Sequence, residues 1–281
     1  MSDLDRRLNA YRPDLAAQSL QGQVEATRFV AGETARVVHP VLPVRPAPDA
    51  ARPRDTEFLF GEPVTVYDTS DGWSWVQSQL DGYVGYVDAT ALSYSEPSPT
   101  HRVAARRTHL YPAPELKRFA VAALPHGALV HVVDVSGRWS QIADGQWLYS
   151  AHLVAVDHRE RDPVAVAERF LETPYLWGGR SSEGMDCSAL VQFALSACGI
   201  TCPRDSDMQE RLVGTEIDFE EAPLQRGDLA FWPGHVGILT APDRILHCNA
   251  TDMSTRVWTL PDLRAHIRRA EETELRAVRR P

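Results

Sequence analysis

Long hydrophobic runs are missing from the sequence. Nowhere do 18 consecutive apolar residues occur, so no membrane-spanning helix is predicted. The first thirty residues mix charged and apolar side chains and contain no apolar stretch of signal-peptide length. Export by the ordinary secretory route is therefore not expected, although a nonclassical route would leave no such signal. We accordingly expect a cytoplasmic location and no membrane partner.

Basic residues are also fewer than acidic ones. The chain has 29 lysine and arginine residues against 38 aspartate and glutamate residues, which gives a formal net charge of -9. Proteins that bind nucleic acids usually present a basic face, so no nucleic-acid partner is predicted. With 43% hydrophobic and 24% charged residues, the 281-residue chain has the composition of a globular protein with two or three domains.

Cysteine is scarce, and all of it lies in the last third of the chain. The four cysteines are Cys187, Cys198, Cys202 and Cys248. A disulfide framework is typical of small secreted chains, whereas one reactive thiol among reduced cysteines suits a cytoplasmic enzyme. A zinc site built from the last three is the alternative, but the paired two-residue spacing of zinc ligands is missing. We therefore predict no metal and no other cofactor.

The first of these cysteines stands in the stretch MDCSALV, residues 185–191. Apolar residues recur at steps of three and four after Cys187, and Gly199 follows, which predicts an amphipathic helix with Asp186 as its N-cap. Unpaired backbone N–H groups and the helix macrodipole favour an anion in the first turn, so we expect a lowered pKa for the Cys187 thiol. The alternative is a small buried residue that happens to open a helix.

Patterns along the chain predict four segments. Residues 1–26 have the pattern of a polar helical arm. Residues 27–97 and 98–157 share short alternating strands, a glycine-tryptophan motif and an Asp-Gly turn, which indicates two copies of a small all-β unit. Residues 158–281 change to helices followed by an antiparallel sheet, so the expected fold is a multidomain chain that ends in an α+β domain.

Two histidines supply a candidate base for the cysteine. The strand patterns at 235–239 and 244–248 are joined by a turn, so His235 and His247 are expected on neighbouring strands. They are twelve residues apart and of equal parity, which allows both to project from one face. One imidazole can accept the thiol proton while the other fixes its tautomer. Two ordinary surface histidines are the alternative interpretation.

The segment 174–209, PYLWGGRSSEGMDCSALVQFALSACGITCPRDSDMQ, resembles the NlpC/P60 family of cell-wall peptidases, as do RGDLAFW, HVGIL and ILHCNA further on. The DCS triplet, the HVGI strand and a second histidine appear in the family's order. The upstream repeats resemble bacterial SH3 domains, which implies two SH3-like barrels before a papain-like domain. The whole arrangement resembles γ-D-glutamyl-L-diamino acid endopeptidases of the dipeptidyl-peptidase VI type.

The resemblance implies roles for specific residues. Cys187 attacks the amide carbonyl, His235 and His247 complete the catalytic set, and Tyr175 helps to form the oxyanion site. Candidate positions for contacts with the substrate peptide are Asp186, Ser188, Trp177, Asp205 and Ser206. Each has a simpler interpretation: a helix cap for Asp186, a turn or helix start for the pair at 205 and 206, and a core position for Trp177.

In the three-domain relatives, an acidic residue and a tyrosine of the first SH3 domain bind the free amine of L-Ala. The candidates are Glu57 and either Tyr83 or Tyr86. A carboxylate is the expected partner for an ammonium group. A solvated Glu57 and tyrosines that belong to the core are the competing interpretation.

The resulting hypothesis is a cysteine endopeptidase of muropeptide recycling. It would hydrolyse the bond between γ-D-Glu and L-Lys or diaminopimelate in stem peptides with a free N-terminal L-Ala. A non-catalytic peptidoglycan-binding protein and a papain-like amidase or acyltransferase are the alternatives.

Overall fold

A computed structural model describes residues 4–281, so the first three residues of the expected arm lie outside the described part. Contacts divide the chain into two compact units, here called the N-terminal unit, which ends at Val156, and the C-terminal unit, which begins at Asp157. The described residues also form three short 3-10 turns, at Gln18–Leu20, Ala89–Ala91 and Ser150–His152.

The described part of the arm at the start of the chain has one 3-10 turn, at Gln18–Leu20, and no α-helix, so the prediction of a helical arm over residues 1–26 is wrong for the residues that the structure describes. Strand β1 (Leu15–Ala17) pairs in parallel with β2 (Arg28–Val30). Pro13 lies just before β1 and has no backbone N–H to donate, which disfavours a continuous helix here.

Packing against the neighbouring sheet explains why the arm adopts this extended path. Leu15 and Leu20 are buried in one apolar cluster with Trp75. The Val84 N–H donates a hydrogen bond to the Arg7 carbonyl at 2.8 Å. The arm's backbone therefore forms a hydrogen bond with a strand that is distant in sequence, and local sequence patterns do not reveal such a contact.

Seven strands follow the arm and enclose an apolar core. They are β3 (Glu33–Val37), β4 (Val41–Val44), β5 (Thr56–Leu59), β6 (Pro63–Ser70), β7 (Trp73–Ser78), β8 (Val84–Asp88) and β9 (Leu92–Ser93). One antiparallel sheet has the order β8-β7-β6-β3-β9, and β4 pairs with β5. Leu42, Phe58 and Val76 are among the buried residues between these sheets.

The next eight strands repeat this pairing. They are β10 (His101–Val103), β11 (Arg107–Leu110), β12 (Ala122–Pro125), β13 (Leu129–Val130), β14 (Val132–Ser136), β15 (Trp139–Ile142), β16 (Trp147–Tyr149) and β17 (Leu153–Ala155). β11 pairs with β12 as β4 pairs with β5, and β10 pairs with β13 and β17 as β3 pairs with β6 and β9. A register shift precedes Asp68 in the first copy and Asp134 in the second.

The C-terminal unit is built on one six-stranded antiparallel sheet. Its elements are α1 (Pro163–Glu168), β18 (Arg180–Ser181), β19 (Gly184–Met185), α2 (Cys187–Ala197), α3 (Ser206–Leu212), β20 (Thr215–Ile217), β21 (Leu229–Trp232), β22 (His235–Ala241), β23 (Arg244–Asn249), β24 (Ser254–Thr259), α4 (Leu260–Glu271) and β25 (Ala277–Arg280). The sheet has the order β20-β25-β21-β22-β23-β24.

Helices cover this sheet and fix the strands that carry the histidines. α2 packs against β22 and β23. Leu263 and Ile267 of α4 share an apolar cluster with Leu239 and Ile245. The central strands are therefore almost continuously buried and rich in apolar residues, as expected for strands covered on both faces.

Candidate active site

Cys187 is the first residue of α2, and Asp186 is the N-cap of that helix. The Asp186 backbone is extended, and its carboxylate accepts a hydrogen bond from the Ala189 N–H at 2.8 Å. The first-turn N–H groups of a helix have no acceptor within the helix. The cap uses the Ala189 N–H, while the Cys187 N–H belongs to the same unpaired set and points toward the start of the helix.

A buried arginine holds the capping carboxylate in place. Arg204 is 1% exposed and donates to both carboxylate oxygens of Asp186, at 2.9 and 2.6 Å. The same guanidinium donates to the Ser188 hydroxyl at 2.8 Å. Asp186 also accepts from the Gly178 N–H at 3.1 Å. Sequence patterns gave no sign of this ion pair, whose members are 18 residues apart.

The glycine turn before the cysteine lets the backbone approach Asp186. Gly178 has a φ of +67°, a left-handed conformation that favours glycine. At Gly179 an added Cβ would lie 2.6 Å from the Gly184 carbonyl oxygen, so a side chain does not fit. The neighbouring Trp177 is 66% exposed, so its interpretation as a core residue is wrong.

The Cys187 thiol is buried rather than solvated. The residue is 8% exposed, and its Sγ lies 4.0 Å from the Gly234 carbonyl oxygen. Burial, reinforced by the charge of Asp186, raises the pKa of the thiol to about 12, and a hydrogen bond from the Val236 N–H only partly opposes this rise. Burial therefore shifts the thiol pKa upward, opposite to the lowering expected from the helix terminus.

His235 and His247 meet across β22 and β23. His235 Nε2 lies 2.9 Å from His247 Nδ1, and the rings cross nearly at right angles. Gly237 lies on β22, where an added Cβ would lie 2.6 Å from Ile245 Cδ1 and 3.1 Å from the His247 Cβ, so a side chain does not fit there. The equal parity of the two positions thus brings the side chains together, so they are not two ordinary surface histidines.

Burial keeps both imidazoles neutral. It lowers the pKa of His235 to about 4. For His247 burial acts first and the neighbouring His235 and His266 add to it, which lowers the pKa to about 3. At neutral pH burial thus favours a protonated thiol and two uncharged rings over a thiolate-imidazolium ion pair.

A polar chain continues behind His247 that the sequence did not indicate. His247 Nε2 lies 3.4 Å from the Asn249 amide nitrogen. That nitrogen donates to Asp252 at 3.1 Å, and the Trp258 indole N–H donates to the same carboxylate oxygen at 2.8 Å. The Trp258 ring also packs edge-on against the His247 ring, with centroids 5.8 Å apart.

Tyr175 lies close to the start of α2. It forms an isolated parallel bridge with Met185, two residues before the cysteine. Burial raises the pKa of the Tyr175 phenol, and the neighbouring Cys187 and Asp186 side chains raise it further. The phenol therefore stays protonated and able to donate a hydrogen bond.

The remaining candidates of the C-terminal unit stand at the start of α3. Asp205 is the N-cap residue of α3 and Ser206 is the first residue of the helix, so both occupy a helix start. Gln209 is fully buried and donates to the Ser188 and Pro203 carbonyl oxygens, each at 2.9 Å. This glutamine ties α3 to the first turn of α2.

The candidates of the N-terminal unit are buried. Glu57 is 1% exposed and forms an ion pair with Arg54, so it is not a solvated carboxylate. Tyr83 is 3% exposed and belongs to the interior. The half-buried Tyr86 accepts a hydrogen bond from Arg12 through its hydroxyl at 3.2 Å.

Neither a metal cluster nor a spanning helix occurs in the described part of the chain. Across residues 4–281, no three histidine, cysteine or acidic side chains are grouped as metal ligands. In the same residues, no helix combines the length and the apolar character needed to cross a bilayer.

Comparisons with known proteins find a family match in each of the two units. Residues 172–268 match the NlpC/P60 family, and residues 44–92 match the SH3 domain of bacterial dipeptidyl-peptidases. Dipeptidyl-peptidase 6 of Lysinibacillus sphaericus is 26% identical over 246 residues, which cover 79% of this chain and 90% of that protein. The γ-D-glutamyl-L-lysine dipeptidyl-peptidase of Bacillus subtilis is 27% identical over 248 residues, which cover 80% of each chain.

A solved structure shares the fold. The crystal structure of an NlpC/P60 family protein from Bacillus cereus superposes with a TM-score of 0.75 at 23% identity, and the match covers 88% of this chain and 99% of that one. A cysteine at a helix start and paired histidines on a neighbouring sheet form the side-chain set of a cysteine peptidase. The relatives support the same class, and the protein is a cysteine peptidase. It carries a bacterial dipeptidyl-peptidase SH3 domain followed by an NlpC/P60 domain.

Proposed function

We propose that Cys187 is the nucleophile, His235 the general base and His247 the residue that orients it. The observation that carries this proposal is the position of the thiol against the start of β22. Cys187 Sγ contacts the Gly234 carbonyl oxygen, and the Val236 N–H donates to it, so His235 is the histidine between these two contacts. Its hydrogen bond to His247 at 2.9 Å holds the ring.

The chemistry follows from the neutral resting pair. As Sγ attacks the amide carbonyl, the thiol proton moves to Nδ1 of His235, in the tautomer whose own proton lies on Nε2 and is donated to His247 Nδ1. The proton then passes to the leaving amine, the C–N bond breaks and a thioester to Cys187 remains. Water, deprotonated by His235, hydrolyses the thioester and restores the thiol. No free thiolate needs to accumulate before substrate binds.

The tetrahedral intermediate carries a negative oxygen that needs donors. We assign this role to the Cys187 backbone N–H and the Tyr175 hydroxyl, which remains protonated because its pKa is raised. Asp186, Ser188 and Arg204 hold the first turn of α2 in place by their mutual hydrogen bonds. The backbone donor at Cys187 is thus held in place before the reaction begins.

The proposed substrate is a peptidoglycan stem peptide that begins with a free L-Ala. The bond cut joins γ-D-Glu to L-Lys or diaminopimelate, in line with the names of the relatives from Bacillus subtilis and Lysinibacillus sphaericus. The exposed Trp177 and the α3 start at Asp205 and Ser206 are assigned to the substrate peptide. Short peptides of this kind fit an enzyme of muropeptide recycling in the cytoplasm.

Recognition of the L-Ala amine is assigned to the N-terminal unit. Glu57 offers a buried carboxylate that already holds one cation, Arg54, and Tyr83 is the accompanying tyrosine. The repeated strand pairing of β10–β17 supports a second SH3-like domain after the first. A buried charge-assisted hydrogen bond is stronger than a solvated one. A peptide without the free amine should therefore be a much poorer substrate.

Acetylation of the peptide amine tests this requirement. N-acetyl-L-Ala-γ-D-Glu-diaminopimelate is expected to react with a kcat/KM about 100-fold below that of the free peptide, because it lacks the ammonium charge. Glu57→Gln should remove most of this discrimination, whereas Glu115→Gln, at an exposed acidic residue of the same unit, should leave it intact. Equal rates for the free and acetylated peptides in the wild-type protein would contradict the assignment. Release of the new amine, followed by mass spectrometry, gives both rates.

The pH dependence of kcat/KM tests whether the neutral pair, an uncharged His235 and a protonated Cys187 thiol, is the resting form. Because burial lowers the pKa of His235 to about 4, the basic imidazole should persist as pH falls and be lost near pH 4, not near 6.5. The raised thiol pKa, about 12, predicts no alkaline limb from Cys187 below pH 9.

The acid limb must be separated from unfolding. A buried neutral histidine takes up a proton more readily in the unfolded chain, so stability also declines as pH falls from about 6.5 toward 4. Circular dichroism at each pH identifies the range in which the protein is folded. An acid limb at pH 6.5 or above in folded protein would contradict the neutral pair.

A further inference from the structure

The chain of polar groups behind His247 has a fixed direction. At its far end, Trp258 Nε1 donates to Asp252 Oδ2 at 2.8 Å. An indole N–H is only a donor and a carboxylate only an acceptor. The Asn249 amide nitrogen donates to the same Oδ2 at 3.1 Å.

A second contact prevents the Asn249 amide from turning over. The Asp252 backbone N–H donates to Asn249 Oδ1 at 2.7 Å. A turned amide would set its NH2 group against this backbone N–H and its oxygen against the carboxylate. Both contacts would then be repulsive, so the amide nitrogen is held on the side of His247.

This orientation decides which nitrogen of His247 carries the proton. The Asn249 amide nitrogen faces His247 Nε2 at 3.4 Å, so Nε2 is favoured as an acceptor without a proton. A neutral His247 then carries its proton on Nδ1, which donates to His235 Nε2 at 2.9 Å. A neutral His235 in turn carries its proton on Nδ1.

That arrangement conflicts with the base role of His235. To accept the thiol proton, His235 must have a bare Nδ1, and its Nε2–H must donate to His247 Nδ1. His247 would then carry its proton on Nε2, against the Asn249 NH2 group. The same conflict exists once His235 is an imidazolium, because its Nε2–H again requires a bare His247 Nδ1.

We infer that Asn249 is a positioning residue that holds His247 in the Nδ1–H tautomer and leaves the base-competent tautomer of His235 as the minor form. Asp252 acts through Asn249 by fixing the amide. In serine peptidase triads, an amide in place of the orienting carboxylate preserves the geometry and favours the wrong tautomer. This inference rests on the proposed function of the histidine pair.

An aspartate at position 249 should reverse the preference. Its oxygen can accept the His247 Nε2–H, so Asn249→Asp is expected to move the proton from Nδ1 to Nε2 and to raise kcat/KM about tenfold, the effect of one hydrogen bond. Asn249→Ala removes the donor without adding a second carboxylate beside Asp252, and it should weaken the Nδ1–H preference. Trp258→Phe, which keeps the ring beside His247 and the Asn249 amide in place, should leave the tautomer unchanged.

Nitrogen NMR of the full chain with 15N-labelled histidine reads the tautomer directly. His247 is identified among the 10 histidines by comparison with a His247→Gln variant. The expected wild-type pattern is a protonated Nδ1 and a bare Nε2, reversed in Asn249→Asp. The inference is overturned by a protonated Nε2 in the wild type, by the same tautomer in wild type and Asn249→Asp, or by a reversed tautomer without a gain in kcat/KM.

The two proposals fail in different ways. If the wild-type protein cleaves no stem peptide, the proposed function is wrong. The NMR comparison still supports or overturns the tautomer assignment in that case, because it needs no substrate.

Discussion

Cys187→Ala is expected to lower kcat/KM for L-Ala-γ-D-Glu-diaminopimelate by about 10⁴-fold or more. Without the sulfur no thioester forms, and His235 has no thiol proton to accept. Cys248, whose buried thiol donates to the Met185 carbonyl at 3.1 Å, is engaged elsewhere and is not expected to replace it. Release of diaminopimelate, followed by mass spectrometry, measures the loss.

A matched cysteine variant separates this effect from general damage. Cys198 lies at the opposite end of α2, at its C-cap, so Cys198→Ala should keep kcat/KM within about twofold of the wild-type value. Comparable activity in Cys187→Ala and Cys198→Ala would remove Cys187 from the mechanism.

The second large effect concerns stability. Arg204→Leu is expected to reduce the free energy that opposes opening of α2 by about 3–5 kcal/mol, because it leaves the Asp186 carboxylate buried without its partner. The ion pair is deeply buried, with side-chain exposures of 1% for Arg204 and 11% for Asp186. Hydrogen exchange of peptides that cover α2 measures this energy without assuming that the two units unfold together.

An exposed ion pair of the same kind provides the control. Arg211 pairs with Asp207 at 3.2 Å on the surface of α3, with side-chain exposures of 56% and 42%. Arg211→Leu should therefore change the opening energy of α2 by less than about 0.5 kcal/mol. If the α2 amides are equally protected from hydrogen exchange in Arg204→Leu and Arg211→Leu, the buried ion pair does not hold the helix start.

Local patterns predicted much of the C-terminal unit. The step of three and four residues after Cys187 predicted α2, and Asp186 caps it. The equal parity of positions 235 and 247 on neighbouring strands predicted that both histidines project from one face, and their rings are hydrogen bonded. These features depend on neighbours in sequence or on one hairpin, which is why periodicity reveals them.

Features that depend on distant partners were missed or mispredicted. Arg204 meets Asp186 only through the tertiary fold. The pKa of Cys187 rises because surrounding elements remove water from the thiol, and the sequence shows only the helix end that would lower it. The extended path of the arm depends on packing against Trp75, which lies far along the chain, so the arm's own pattern did not predict it. Desolvation and long-range packing are invisible to a local pattern.

The most direct test of the account is capture of the thioester. Wild-type protein is mixed with L-Ala-γ-D-Glu-diaminopimelate, quenched with acid during turnover and digested for mass spectrometry. We expect an L-Ala-γ-D-Glu adduct on Cys187 that is missing from Cys187→Ala, which also releases no diaminopimelate. Undiminished release by Cys187→Ala, or an adduct on another residue, would contradict it.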